Sequence, residues 1–180
     1  TTDSGFSILP RSSFADCPQA DIICVPGGHG VRDAIADAQI VDFVRTQASA
    51  AQYITSVCTG AFILGAANLL HGKEATCHWA YTHLLPMFGA THRPARVVRD
   101  GNLVTAGGVT SGIDFALELI SDIAGEDVAR TIQLALEYDP APPFSGGTPV
   151  SAPAAILSSL RARVYEKAAT EMESAIKKII

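Results

Sequence analysis

Cys58 is the residue around which chemistry can be built. It lies inside the run Tyr-Ile-Thr-Ser-Val-Cys-Thr-Gly-Ala-Phe-Ile-Leu-Gly-Ala-Ala-Asn-Leu-Leu (residues 53–70), with Ser56 and Gly60 two positions away on either side. The run begins β-prone (Tyr53, Ile54, Thr55, Val57) and turns Ala/Leu-rich without a polar loop between. This small-x-nucleophile-x-small layout fits a nucleophile elbow, where a sharp strand-to-helix turn lifts the central side chain out of the sheet and crowding neighbours must be small. A helix opening at Thr59 would aim free N–H groups and its positive dipole end at the sulfur. Thiolate, the nucleophilic form, is then favoured, so the expected thiol pKa lies below the free value of about 8.5. A lone cysteine is more often a small buried hydrophobe. Strand before, helix after and small flanks argue instead for a nucleophile.

Pro26-Gly27-Gly28-His29-Gly30 is the second candidate. It fails the dinucleotide fingerprint because Asp33 stands where a small residue is required, and no Gly-Lys-Ser/Thr follows. Glycines at a strand end suit an oxyanion hole, with backbone N–H groups at Gly27 or Gly28 and a further donor from Thr59. The bland alternative is a plain turn. His78, at the end of a short β-prone stretch, is the candidate base for Cys58; beside the bulky Trp79 it could equally orient a loop. His29 reads as a loop or rim residue, and His71, His83 and His92 as surface or packing groups. Ser13, Ser56 and Ser111 lack any Ser/His/Asp arrangement. Asp16, Asp21, Asp100 and Asp114 have turn or cap explanations, and Phe62, Tyr81 and Phe88 read as core or pocket wall.

These residues must be positioned by elements that the pattern also suggests. Residues 5–9 look like the end of a strand or hairpin. Residues 21–25 form a nearly continuous apolar run, as for a strand buried on both faces. Residues 37–50 are amphipathic, with Ile40, Val41, Phe43 and Val44 facing a core. Gly72 is placed to end the elbow helix. Residues 75–77 read as a short strand and residues 78–88 as helix or turn. Asp100-Gly101 is a hairpin signal between residues 96–99 and 103–106. A helix to Ile123 is capped by Thr110 or Ser111, with Asp114 completing a capping box on Ser111. Another helix covers about residues 126–138. Alternating strands and helices indicate an α/β class, a flavodoxin-like doubly wound, mostly parallel sheet with helices on both faces. Residues 139–153 hold five prolines and two adjacent glycines. A helix then follows to about residue 178, with Leu157, Leu160, Val164, Ala168, Met172, Ala175 and Ile179 on one apolar stripe. The division is therefore residues 1–144 as the α/β domain and residues 145–180 as a tether and helical arm that docks on a neighbouring copy, since a long exposed seam suits a dimer.

Composition narrows the function. The chain has 180 residues, 48% hydrophobic and 17% charged, a formal net charge of −5 and a pI of about 5.4. That suits one soluble domain with a sizeable core. No basic cluster favours nucleic acid. No apolar run reaches the roughly 18 residues of a membrane span, and no signal-like segment opens the chain. Cys17, Cys24, Cys58 and Cys77 show no disulfide or zinc spacing, which suits a reducing cytoplasm.

Ser56-Val57-Cys58-Thr59-Gly60, Pro26-Gly27-Gly28, Thr76-Cys77-His78-Trp79 and Gly112-Ile113-Asp114-Phe115 resemble the DJ-1/PfpI (ThiJ) superfamily. Residues 13–18 and 136–144 are similar to its isonitrile (isocyanide) hydratase branch. The resemblance implies a homodimer that hydrates R–N≡C to an N-substituted formamide with neither metal nor organic cofactor. It implies Cys58 as nucleophile, a covalent thioimidate, and Thr59 and Gly28 around substrate and water. Thr59 departs from the protease-like branch, which has His after Cys, and Cys77 stands where relatives commonly carry Thr. The other class of function is a ligand- or redox-sensing domain, because exposed low-pKa thiolates oxidise readily. A regulator is disfavoured, since the tail after Phe144 offers no second recognition helix. The family also opens with a strand–helix–strand unit bearing an acidic residue, and no such unit precedes Thr1. No carboxylate in these residues is well placed by pattern, so the expectation is a longer functional protein whose missing N-terminal unit supplies that group. Without it, the strands ending at Val25 and Val57 would carry bare edges.

Overall fold

A computed structural model describes residues 5–180. Its first regular element is β1 (Ile22–Val25), followed by the short α1 (Val31–Ala34), α2 (Ala38–Ala48) and β2 (Tyr53–Val57). A 3-10 turn, Cys58–Gly60, leads directly into α3 (Ala61–Ala66). Then come β3 (Glu74–Ala75), a 3-10 stretch at Thr82–Phe88, β4 (Thr91–His92), β5 (Val97–Asp100) and β6 (Leu103–Ala106). The chain ends with α4 (Ser111–Ala124), α5 (Glu126–Ala135), α6 (Ala154–Leu160), a π-helical segment Arg161–Tyr165, and α7 (Glu166–Ile176).

The main sheet has the order β1-β2-β6-β5, with β1, β2 and β6 parallel and β5 antiparallel to β6. Helices cover both faces, as the doubly wound expectation requires. Ile54 and Leu103 point into a large core with α2, α3 and the turn around Leu84 and Leu85. Val104, next to Leu103, and Ala106 two residues on point the other way, onto Phe115 and Leu119 of α4. This alternation is the period-2 geometry of a strand buried on both faces.

Several local expectations are corrected. Residues 5–9 contain no strand, and Phe6, Ile8 and Leu9 are exposed; Thr1–Ser4, the rest of that opening, lie outside the described residues. β2 is paired on both sides, so of the strands ending at Val25 and Val57 only β1 lies at an edge of the sheet, where Ile22 and Cys24 are exposed. The elbow helix ends before Gly72. Asn68 takes the left-handed conformation (φ 62°), its N–H bonds to Gly65 O and the Leu69 N–H to Leu64 O, both at 2.9 Å. That is a Schellman motif with Asn in place of Gly. Asp114 does not cap α4: it receives Arg96 and the Tyr138 hydroxyl, while Ser111 Oγ donates to Gly108 O. The Asp100-Gly101 hairpin is present, with Gly101 at φ 65°.

The C-terminal arm folds back on its own domain through α7. Met172 and Ile176 are members of the large core, Ile176 with no exposed surface. The upstream half of the arm leaves apolar side chains outside, with Ile156, Leu160 and Val164 exposed, as is the last residue, Ile180.

Candidate active site

Cys58 follows β2 immediately and has φ 61°, a left-handed conformation that a non-glycine residue holds only under constraint, at a cost of about 1–3 kcal/mol. Three close approaches impose it. The Cys58 N–H is bonded to Gly107 O at 2.8 Å, at the end of the neighbouring strand. Gly27 lies so close that a Cβ there would come within 2.7 Å of Cys58 Cβ and of Thr59 N. A Cβ on Gly60 would sit 2.1 Å from Val25 O. Both glycines are therefore required for the elbow to dock on the end of β1, and the sequence's small flanks have this physical reason.

Thr59 joins the two strand ends. Its hydroxyl accepts the Gly28 N–H at 3.1 Å and lies 3.4 Å from Gly28 O. The Gly28 N–H is thus already engaged by Thr59, which removes it as the unoccupied oxyanion donor that the sequence suggested. Gly28 itself has φ 136°, a conformation open to glycine.

The electrostatics of the thiol also differ from expectation. Burial pushes the Cys58 thiol above its ordinary value, and the Thr59 N–H and hydroxyl, which favour thiolate, offset this only in part. The short 3-10 turn and the half-buried position of the sulfur make desolvation the larger effect. Cys77 is more deeply buried, and burial, with Cys58 nearby, drives its thiol far up.

Cys58 opens into a cleft of about 330 Å³. Gly28, His29 and Arg32 line it from the β1–α1 side, His78 and Tyr81 from the turn after β3, and Val109 from the β6–α4 loop. His78 is thus brought to the site, but the groups acting on the sulfur belong to Thr59 and not to the imidazole. The His78 Nδ1 accepts the Ala80 N–H at 3.3 Å, so neutral His78 carries its hydrogen on Nε2. Burial lowers its pKa, which keeps it neutral near pH 7. Gly27 shapes the elbow from behind and is not among the lining residues.

The remaining wall comes from the arm: Val164, Tyr165, Ala168, Glu171 and Met172. Sequence reasoning missed this. Val164, Ala168 and Met172 stand on the apolar stripe, whose pattern alone suggests a seam for a neighbouring copy. Glu171 gave no signal, because its proximity to Cys58 depends on α7 folding back across α1. It brings a carboxylate into the cleft, paired with Arg32 at 2.8 Å. The π segment ends at Tyr165, whose ring stands 5.1 Å from His78, 5.0 Å from Trp79 and 6.1 Å from Tyr81. A groove of about 680 Å³ that shares Tyr165 with this cleft, lined among others by Trp79, His83, Arg161 and Glu173, contains no cysteine. Among the described residues no group of His, Cys, Asp and Glu is arranged to hold a metal ion, and no helix is long and apolar enough to cross a membrane.

A strained cysteine on a strand-to-helix turn, at the C-terminal end of a doubly wound sheet, defines a cysteine-elbow α/β protein. The chain belongs to the DJ-1/PfpI family, whose model matches residues 1–122. It is 55% identical over 163 residues to an isonitrile hydratase of Pseudomonas putida, covering 91% of this chain and 72% of that protein. The crystal structure of a THiJ/PfpI family protein from Pseudomonas syringae superposes with a TM-score of 0.89 at 41% identity, covering 96% of this chain and 73% of that one. The HTH-type transcriptional regulator GbdR of Pseudomonas aeruginosa is 30% identical over 75% of this chain, which spans 37% of the regulator.

Proposed function

We propose that this protein is an isonitrile hydratase in which Cys58 is the nucleophile. The observation that carries the reading is the constrained Cys58, held at φ 61° and facing a cleft of about 330 Å³. The 55% identity to a hydratase supports it.

The Cys58 sulfur donates its lone pair to the terminal isocyanide carbon, and that carbon takes up one proton. The product is a thioimidate, Cys58–S–CH=N–R. Water then adds to the same carbon, the C–S bond breaks, and the thiolate leaves with a proton restored. The sum is R–N≡C plus H₂O giving R–NH–CHO, with no change of oxidation state in the protein. Thr59 stabilises the thiolate as attacker and again as leaving group. The substrate and water are the only reactants required, so neither metal nor organic cofactor enters the scheme. The neutral His78 presents an Nε2 hydrogen in the same cleft, which suits it to a secondary role with water or the imine nitrogen.

We further assign the exposed Ile156 and Leu160 to a homodimer contact, a smaller seam than the full stripe because α7 is used internally. The acidic charge and the lack of a basic patch fit a cytoplasmic enzyme acting on a small molecule rather than on nucleic acid. The test of the reading is formation of an N-substituted formamide from an aryl or alkyl isocyanide, with turnover lost in Cys58→Ala and Cys58→Ser. Turnover of equal rate in those variants would overturn it.

A further inference from the structure

The groove of about 680 Å³ runs between the turn at Trp79 and a second face of the arm, and the chemistry at Cys58 does not use it. Two of its side chains carry opposite charges, and neither is neutralised. The Arg161 guanidinium carbon lies 5.7 Å from the centre of the Trp79 ring. Among the described residues the ion pairs of the arm are Arg32–Glu171, Lys167–Glu171 and Lys177–Glu173, which leave both Arg161 and Glu166 unpaired. The other carboxylate of the groove, Glu173, is held by Lys177 at 2.6 Å.

Arg161 and Glu166 face the same way because of the π segment. In an α-helix of about 3.6 residues per turn, positions five apart point in different directions. Here the Glu166 N–H bonds to Arg161 O, so residues five apart stand roughly one turn above each other. The Trp79 ring attracts the Arg161 cation, and the two charges share the groove without closing on each other. The walls around them are apolar: the rings of Trp79 and Tyr165, 5.0 Å apart, with Ala162 and the buried Ala169. The Ser158 and Thr170 hydroxyls donate to carbonyl oxygens of the arm itself, at Ala155 and Glu166.

We propose that this groove binds a free α-amino acid with an apolar side chain. Its carboxylate meets the planar fork of Arg161, its ammonium meets Glu166, and its side chain lies against Tyr165 and the alanines. A simple anion would face Glu166 and a simple cation would face Arg161. A zwitterion with both charges on neighbouring atoms satisfies the pair. The volume lies within the ~300–1,000 Å³ range of ligand sites. The site is independent of the hydratase reading, since it contains no cysteine. The dimer contact assigned above leaves it open, because Ser158 is two positions from both Ile156 and Leu160 and so lies across the helix from them.

Trp79 is the single tryptophan of the chain, so its fluorescence reports on this groove. The probe is L-leucine, compared with isoamylamine, which lacks the carboxylate, and isocaproate, which lacks the ammonium. A hydrogen bond to a charged group is worth about tenfold or more in affinity. L-leucine is expected to give a saturable change, with each analogue about tenfold weaker or worse. In Arg161→Gln the affinity for L-leucine should fall about tenfold while that for isoamylamine is unchanged; in Glu166→Gln isocaproate should be the unaffected ligand. Titration calorimetry reads the same affinities where the loss of Arg161 alters the Trp79 signal. Both side chains are exposed, so these variants report on binding and not on folding. Cys58→Ala should bind L-leucine as the wild type does, whatever becomes of isocyanide turnover. The proposal is overturned by an absence of saturable change and of heat with L-leucine, by equal affinities for the three ligands, or by variants that bind as the wild type does. A Trp79 signal that follows protein concentration and not L-leucine would also overturn it, marking the groove as a contact between copies.

Discussion

The Gly28 N–H donates to Thr59 Oγ1 at 3.1 Å, tying the loop after the first strand to the residue that follows the nucleophile. Removing this hydroxyl withdraws one donor from the Cys58 sulfur and leaves the Gly28 N–H without its acceptor. Both donors of Thr59 lower the thiol pKa against the larger effect of burial. Losing one raises the pKa further, so the thiolate forms at higher pH. In Thr59→Val the pH profile of Cys58 alkylation by iodoacetamide is expected to move upward, with less reactivity at pH 7 and convergence with wild type at high pH. Thr59→Ser should stay close to wild type. A profile in Thr59→Val that is unchanged, or moved to lower pH, would contradict this.

Labelling should also rank the cysteines. Cys77 is 2% exposed and its thiol is pushed far up by burial, so it should react only after unfolding. Cys24, exposed on the edge strand, should label in the native protein alongside Cys58. Peptide mapping after limited alkylation checks both. Labelling of Cys77 in the native protein ahead of Cys58 would count against the described packing.

The elbow glycines should be intolerant of any side chain. In Gly60→Ala the new Cβ meets the Val25 carbonyl oxygen at 2.1 Å, and in Gly27→Ala it meets Cys58 Cβ at 2.7 Å. Backbone must move in either case, at a typical overpacking cost of about 1–3 kcal/mol. Urea denaturation should show the loss in both variants. Stability equal to wild type in Gly60→Ala would mean that the elbow does not dock on β1 as described.

The elbow and the hairpin were legible because each is written locally. Ser56, Cys58 and Gly60 mark a turn whose neighbours must be small, and Asp100-Gly101 marks a two-strand reversal. Two local signals misled. Gly72 is a better generic helix stop than Asn68, but the helix has already ended in the Asn68 motif. Asp114 has the right spacing from Ser111 for a capping box, but Arg96 and Tyr138 are stronger partners. What could not be read was long-range. The stripe from Leu157 to Ile179 announces an apolar face without saying which surface it covers, and α7 uses it for this chain's own core. Glu171 reaches the cleft only as a consequence. The raised Cys58 thiol was missed for the same reason, since burial depends on the whole assembly and the helix terminus does not.

That use of the arm has a stability consequence. Ile176 is fully buried, and Ile176→Ala should cost about 2–5 kcal/mol. Chemical denaturation of the variant measures it. A loss below about 0.5 kcal/mol, as for an ordinary surface substitution, would show that α7 does not pack on this domain in solution.

The central claim is covalent hydration at Cys58, and intact-protein mass spectrometry during turnover tests it most directly. Mixing the protein with cyclohexyl isocyanide should give a transient adduct equal to the mass of the isocyanide, mapped to Cys58, which decays as N-cyclohexylformamide accumulates. Cys58→Ala should form neither adduct nor formamide. Formamide production by Cys58→Ala at the wild-type rate would contradict the account, as would a wild-type protein that gains only oxygen atoms on Cys58 and yields no formamide.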